Sequence, residues 1–171
     1  MDDVVAVYEA GLKKNPDDIT QYTRLGELYV RKGESEKALN IFEKAVKVAP
    51  RDRNTNVRLA DLYESAGKYD EAVIQLKKVQ DVEPANLNYT LRSAAMLVKA
   101  GKTEEAKVAY GKVSVEAREE WMKNQAKQRL SEITNMKPTA AKFALPKEKP
   151  AKEEVEKEKP KKKKKRGWFG R

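Results

Sequence analysis

Apolar positions recur along the chain at helical spacing and predict helices near residues 2–14, 19–32, 35–48, 53–66, 69–82, 87–100 and 103–113. A longer one follows from about Val115 to Asn135. The stretch ESEKALNIFEKAVKVAP, Glu34 to Pro50, comes round again as KYDEAVIQLKKVQDVEP, Lys68 to Pro84. The interval is fixed. Pro16, Pro50 and Pro84 keep it, as do Gly33, Gly67 and Gly101, and Ala38, Ala72 and Ala106. Tyr29, Tyr63 and Leu97 stand in the same phase, and so do Phe42, Leu76 and Tyr110. A period of this size marks a stack of helical units, each of which needs its neighbours to bury its apolar face.

Each class of position has a physical task. The three glycines end a helix, where a left-handed residue costs least without a Cβ. Pro50 and Pro84 close the next one, because proline has no backbone N–H to continue it. Gly26, Ala60 and Ala94 are small, mid-helix, and expected to face Ala38, Ala72 and Ala106 so that two helix axes approach closely. Leu25, Leu59, Tyr29, Tyr63, Phe42 and Leu76 then fill the space beside that contact.

These residues resemble the tetratricopeptide repeat family, whose pattern is an aromatic, then Leu-Gly, Tyr, Ala, an aromatic, Ala and Pro. Ile19 to Asp52 supplies Tyr22, Leu25-Gly26, Tyr29, Ala38, Phe42, Ala45 and Pro50. Arg53 to Asn86 supplies Leu59-Ala60, Tyr63, Ala72, Leu76, Val79 and Pro84, with Asn56 in place of the first aromatic. Leu87 to about Glu120 departs further. Thr90 and Ser93 hold two apolar positions, and Arg118 stands where proline would be. Asp2 to Asp18 reads as the second half of an earlier repeat.

Charge and composition narrow the chemistry. The chain carries no cysteine and no histidine, which removes the thiol nucleophile, the imidazole base and thiolate metal sites. Its glycines form no phosphate-cradling loop. Acidic pairs such as Asp17-Asp18, Glu104-Glu105 and Glu119-Glu120 fall at helix starts or on exposed faces, where they suit the helix dipole or are solvated. A non-enzymatic protein with no cofactor, no metal and no small-molecule substrate is expected. No apolar run approaches the ~20 residues of a membrane span, and Met1-Asp2-Asp3 opens no signal peptide, so a cytoplasmic protein, peripheral at the membrane, is the reading.

The charge is unevenly placed. Met1 to Met136 holds 23 Lys and Arg against 22 Asp and Glu, whereas 137–171 holds 14 against 5. The pattern therefore divides the chain. Residues 1–136 form the repeat domain: a half repeat 2–18, repeats 19–52, 53–86 and 87–120, and a capping helix 115–135. In that last helix Met122, Ala126, Leu130 and Ile133 share a side, with Trp121 beside them, as a cap over an open end of the stack requires. Residues 137–171, rich in Lys, Glu and Pro, have too few bulky apolar residues to offset the entropy of ordering and are expected to be disordered.

If the resemblance holds, the first helix of each repeat lines a concave groove that takes an extended peptide or a partner's helix. The groove-facing positions implied are Thr20, Thr23, Arg24, Glu27 and Arg31, then Asn54, Val57, Arg58, Asp61 and Ser65, then Asn88, Leu91, Arg92, Ala95 and Lys99. Arg24, Arg58 and Arg92 keep the common interval, and stacking would set them in a row. Two readings stay open: a ridge for an acidic peptide, or three solvated arginines partly neutralised by Glu27 and Asp61. Co-chaperones of the family grip the C-terminal carboxylate of heat-shock chaperones with Lys, Asn, Asn, Lys and Arg. The matching positions here hold Thr23, Glu27, Arg58, Asn88 and Arg92, so only Arg92 agrees, and Glu27 would repel a carboxylate.

The terminal KKKKKRGWFGR is the second candidate surface. Lys161, Lys162, Lys163, Lys164, Lys165, Arg166 and Arg171 surround Trp168 and Phe169. A basic cluster with an apolar anchor suits an anionic membrane surface. The same residues suit RNA or a ribosome, with phosphates neutralised and bases stacked. A nuclear localisation signal or a solubilising tail would also carry such lysines, and RGWFGR has the look of the positive flank of a membrane span. An acidic patch, Glu153 to Glu158, is a candidate to fold back onto the arginine row. The sequence thus implies an all-α protein. It is a right-handed α-solenoid of about three and a half tetratricopeptide helix-turn-helix repeats, with a C-terminal capping helix and a disordered basic tail. The function expected is a scaffold or adaptor: the groove binds a protein partner, within a larger complex, and the tail localises it at an anionic membrane. An RNA- or ribosome-associated adaptor is the alternative.

Overall fold

A computed structural model of the chain describes residues 2–135. The expected tail, with its basic-aromatic terminus and the acidic patch Glu153 to Glu158, lies outside the described residues. Eight helices run through the described part: α1 (Asp2–Lys14), α2 (Ile19–Arg31), α3 (Ser35–Val48), α4 (Arg53–Ser65), α5 (Tyr69–Val82), α6 (Leu87–Lys99), α7 (Thr103–Glu116) and α8 (Glu120–Asn135). Each packs chiefly on the helix before and the helix after it, which builds the right-handed α-solenoid.

The turns repeat because their chemistry repeats. Gly33, Gly67 and Gly101 have φ of 74°, 73° and 77°. At each, the N–H of the following residue donates back into the helix just ended, Glu34 to the Tyr29 carbonyl, Lys68 to Tyr63 and Lys102 to Leu97. That pattern satisfies carbonyls the helix end would otherwise orphan. Helix starts repeat as well. Asp18 accepts from the N–H groups of Thr20 and Gln21, Asp52 from Thr55 and Asn86 from Asn88. These caps keep the interval of the glycines and prolines.

The core follows the same phase. Leu25, Phe42, Leu59, Leu76 and Val79 are buried to 2% exposure or less, each side chain contributing ~1.5–3 kcal/mol by leaving water. Ala38, Ala60, Ala72, Ala94 and Ala106 are fully buried, as close helix contacts require. The neighbour that closes on Gly26, however, is the ring of Phe42.

Departures from the family pattern are accommodated by polar chemistry. Asn56 is buried where an aromatic was expected, and its amide donates to the carbonyls of Pro50 and Asp52, at 3.0 and 2.7 Å. It ties the turn between α3 and α4. Ser93 is buried with its hydroxyl accepting from Gln80 at 2.9 Å. The α7–α8 corner differs from the expected one. α7 runs on to Glu116 and α8 begins at Glu120, not near Val115. Ala117 turns extended, with ψ 142°, and is itself buried, so the break falls at Arg118, where the repeat calls for proline. On α8, Met122, Ala126 and Ile133 are buried and Trp121 is 58% exposed. No helix among the described residues is long and apolar enough to cross a membrane.

Candidate partner-binding groove

Helices α2, α4 and α6 are the first helices of three successive units, and their capped starts fix the same rotation for each. That rotation sends Leu25, Leu59 and Ser93 inward. On the remaining face Thr20, Arg24, Arg31, Asn54, Arg58, Ser65, Asn88 and Lys99 are exposed. Thr23, Glu27, Val57, Asp61, Leu91, Arg92 and Ala95 are half-buried. All the residues expected at the groove therefore keep some contact with solvent. Several have local roles as well: Thr23 donates to the Ile19 carbonyl, Ser65 to that of Asp61, and Asn88 to the Asn86 side chain.

The three arginines are not equivalent. Arg92 lies between two carboxylates of the preceding unit, 2.5 Å from Asp61 and 2.9 Å from Glu64. Glu64 also holds Lys99 at 2.8 Å, and Lys99 sits 5.5 Å from the centre of the Tyr69 ring. Burial pulls the Arg92 guanidinium pKa down, but its hydrogen bonds to Glu64 and Asp61 outweigh this and raise it overall. The Lys99 bond, with Arg92 in support, holds the Glu64 carboxyl below its usual range. Arg92 and Lys99 are thus engaged within the protein. Arg58 approaches only Asp61, at 4.0 Å, and Arg24 and Arg31 have no ion-pair partner among the described residues.

Glu64 is the residue that sequence reasoning missed. Its signal was the phase itself, since it fills the position that Val30 holds one repeat earlier and Val98 one repeat later. Between α2 and α4 there is instead an open pocket of about 310 Å³, with Val30, Phe42 and Leu62 as its apolar wall and Glu27, Arg31, Arg58 and Asp61 around it. Outside the groove, a depression of about 570 Å³ lies beside Pro50, Arg51, Lys78, Asp81 and Val82.

The comparisons with known proteins agree with this geometry. Residues 23–86 match the family model described as tetratricopeptide repeat. Among solved structures, MamA is 14% identical with a TM-score of 0.56, over 76% of this chain and 84% of that one. The first tetratricopeptide domain of Spaghetti (RPAP3), bound to the HSP90 peptide SRMEEVD, is 19% identical with a TM-score of 0.53, over 68% and 90%. The Yersinia enterocolitica type III secretion chaperone SycD, in complex with a peptide of the translocator YopD, is 17% identical with a TM-score of 0.56, over 69% and 93%. At such identities the likeness is one of fold. No curated protein matches the sequence.

Proposed function

We propose, on the premise that the chain belongs to the tetratricopeptide repeat family, that it is a non-enzymatic scaffold whose groove binds a partner protein through a peptide or helix. The observation that carries this reading is the shared face of α2, α4 and α6, where a pocket with an apolar wall opens beside Arg58, which reaches Asp61 only at 4.0 Å, and Arg31, which has no ion-pair partner among the described residues. Two similar folds, that of SycD and that of the RPAP3 domain, were solved with a bound peptide, which supports a protein ligand. The repeat body over 1–136 and the segment 137–171 divide the work in this reading. The groove selects the partner, and the basic terminus, Lys161 to Arg171, holds the complex at an anionic membrane surface.

The test is affinity capture with the full chain against a variant carrying Arg24→Glu and Arg58→Glu, followed by identification of the retained proteins. A set of partners retained by the wild type and lost from the variant supports the groove. Identical sets on both count against it. The second reading is an RNA- or ribosome-associated adaptor. It rests on the same terminal lysines with Trp168 and Phe169 between charges, a combination that stacks on bases as readily as it enters a lipid interface.

A further inference from the structure

One register position is filled differently at two successive seams of the groove. At the α4–α6 seam, Asp61 and Glu64 of one unit close on Arg92 of the next. One repeat earlier, the corresponding trio is Glu27, Val30 and Arg58. Val30 cannot pair with an arginine. The carboxylate beside Arg58 is Asp61 of its own helix, at 4.0 Å, and Arg92 already holds that group at 2.5 Å. Where the α4–α6 seam is a closed ion network, the α2–α4 seam is therefore a pocket with an apolar wall and an arginine held only loosely, at 4.0 Å, by a carboxylate that Arg92 already occupies. Val30 is 48% exposed in it.

We propose that the α2–α4 seam is the recognition element of the groove and that its ligand is a short acidic segment of the partner. One apolar side chain of that segment enters the pocket against Val30 and Leu62, and carboxylates flanking it meet Arg58 and Arg31. The inference rests on the groove reading and names the chemistry of its ligand. Charge complementarity selects that chemistry. Asp61 is already neutralised by Arg92, which leaves Glu27 as the one rim carboxylate set against Arg31 and Arg58. A guanidinium offers a planar fork to a carboxylate, and an anchor buried in such a pocket is where binding energy concentrates. At the α4–α6 seam a ligand carboxylate would first have to displace Asp61 and Glu64, so that seam frames the site without reading the ligand.

The test selects a display library of random short peptides on the full-length protein. Affinities of the enriched peptides are then measured for wild type, Val30→Glu, Arg58→Gln and Arg92→Gln by fluorescence anisotropy. Enriched peptides are expected to carry Leu, Ile, Met or Phe flanked by Asp or Glu. Val30→Glu gives Arg58 an internal partner, as Glu64 does for Arg92, and should weaken binding about tenfold or more. Arg58→Gln should weaken it similarly and Arg92→Gln much less. Melting curves accompany each variant, and if Val30→Glu unfolds, Arg58→Gln at its exposed site decides. Enriched peptides that are basic, that lack an apolar residue, or that bind Val30→Glu and Arg58→Gln as tightly as wild type overturn the inference alone. No enrichment at all overturns the groove reading and the inference with it.

Discussion

At the scale of single residues, Gly26 is where a missing Cβ decides the packing. A Cβ built there would stand about 2.5 Å from the ring of Phe42, which is fully buried. Alanine in place of glycine gains about 1 kcal/mol of helix propensity. Overpacking a buried ring that cannot swing away costs about 1–3 kcal/mol, so the clash outweighs the gain. Gly26→Ala should lower the melting temperature, read by circular dichroism. Tyr63 supplies a pH-dependent case. Its hydroxyl donates to Glu43 at 2.8 Å, as that of Tyr29 does to Glu9. Burial, and then the Glu43 hydrogen bond and charge with Glu71 behind them, push the Tyr63 phenol up from 10.0 to about 12. Unfolded chain therefore loses this proton first. The stabilisation is complete below pH 10 and is lost as pH rises through about 12. Wild type should lose melting temperature more steeply across that window than Tyr63→Phe, a difference that leaves out the lysines common to both. Parallel curves would refute the assignment.

At the scale of helices, the period made the fold legible and also hid part of the site. Repetition compounds weak signals, so the glycine ends, the buried alanines and the order of helices could be read before any geometry. The caps Asp18, Asp52 and Asn86 keep the same interval and were legible in the same way. Glu64 was harder, because its bond to Arg92 joins separate units and depends on how far each helix rotates in the stack. The α7–α8 corner was blurred for a related reason. Arg118 replaces the proline that would have marked it, and Ala117, buried, reads locally as one more helical residue. The equivalence of Arg24, Arg58 and Arg92 was an artefact of phase without neighbours. Changing all three to Glu would set a third carboxylate against Asp61 and Glu64, and so would strain the α4–α6 seam as well as altering the groove. Arg24→Glu with Arg58→Glu should keep the wild-type melting curve, whereas adding Arg92→Glu should lower it. Ala72, fully buried in α5, tests the helix contact directly. Ala72→Trp should overpack the core and cost several kcal/mol where the helices cannot separate, seen as a marked loss of melting temperature. An unchanged curve would contradict the close contact.

For the whole molecule, charge is unevenly divided along the chain. Met1 to Met136 is nearly balanced, at 23 Lys and Arg against 22 Asp and Glu, while 137–171 carries 14 against 5. Long-range attraction to a polyanion would therefore belong to the terminal segment, and a ligand in the proposed groove would be held by short-range pairing and burial. If the terminus holds the complex at a membrane, the full chain should sediment with vesicles containing phosphatidylserine and stay in the supernatant with phosphatidylcholine alone. Each basic residue near such a surface contributes about 1 kcal/mol. Salt shortens the reach of that attraction, which extends only about 10 Å at 0.1 M, so binding should weaken as salt rises. Trp168→Ala with Phe169→Ala should weaken it again by removing interfacial burial. RNA binding would respond to both changes in the same direction, because phosphates are screened by salt and bases stack on the same rings. The deciding comparison gives a peptide of residues 137–171 each ligand separately, at equal salt. Saturable binding to the anionic vesicles, with the aromatic substitutions shifting the half-point, supports the membrane role. Tight RNA binding with no vesicle binding would replace it by the RNA adaptor.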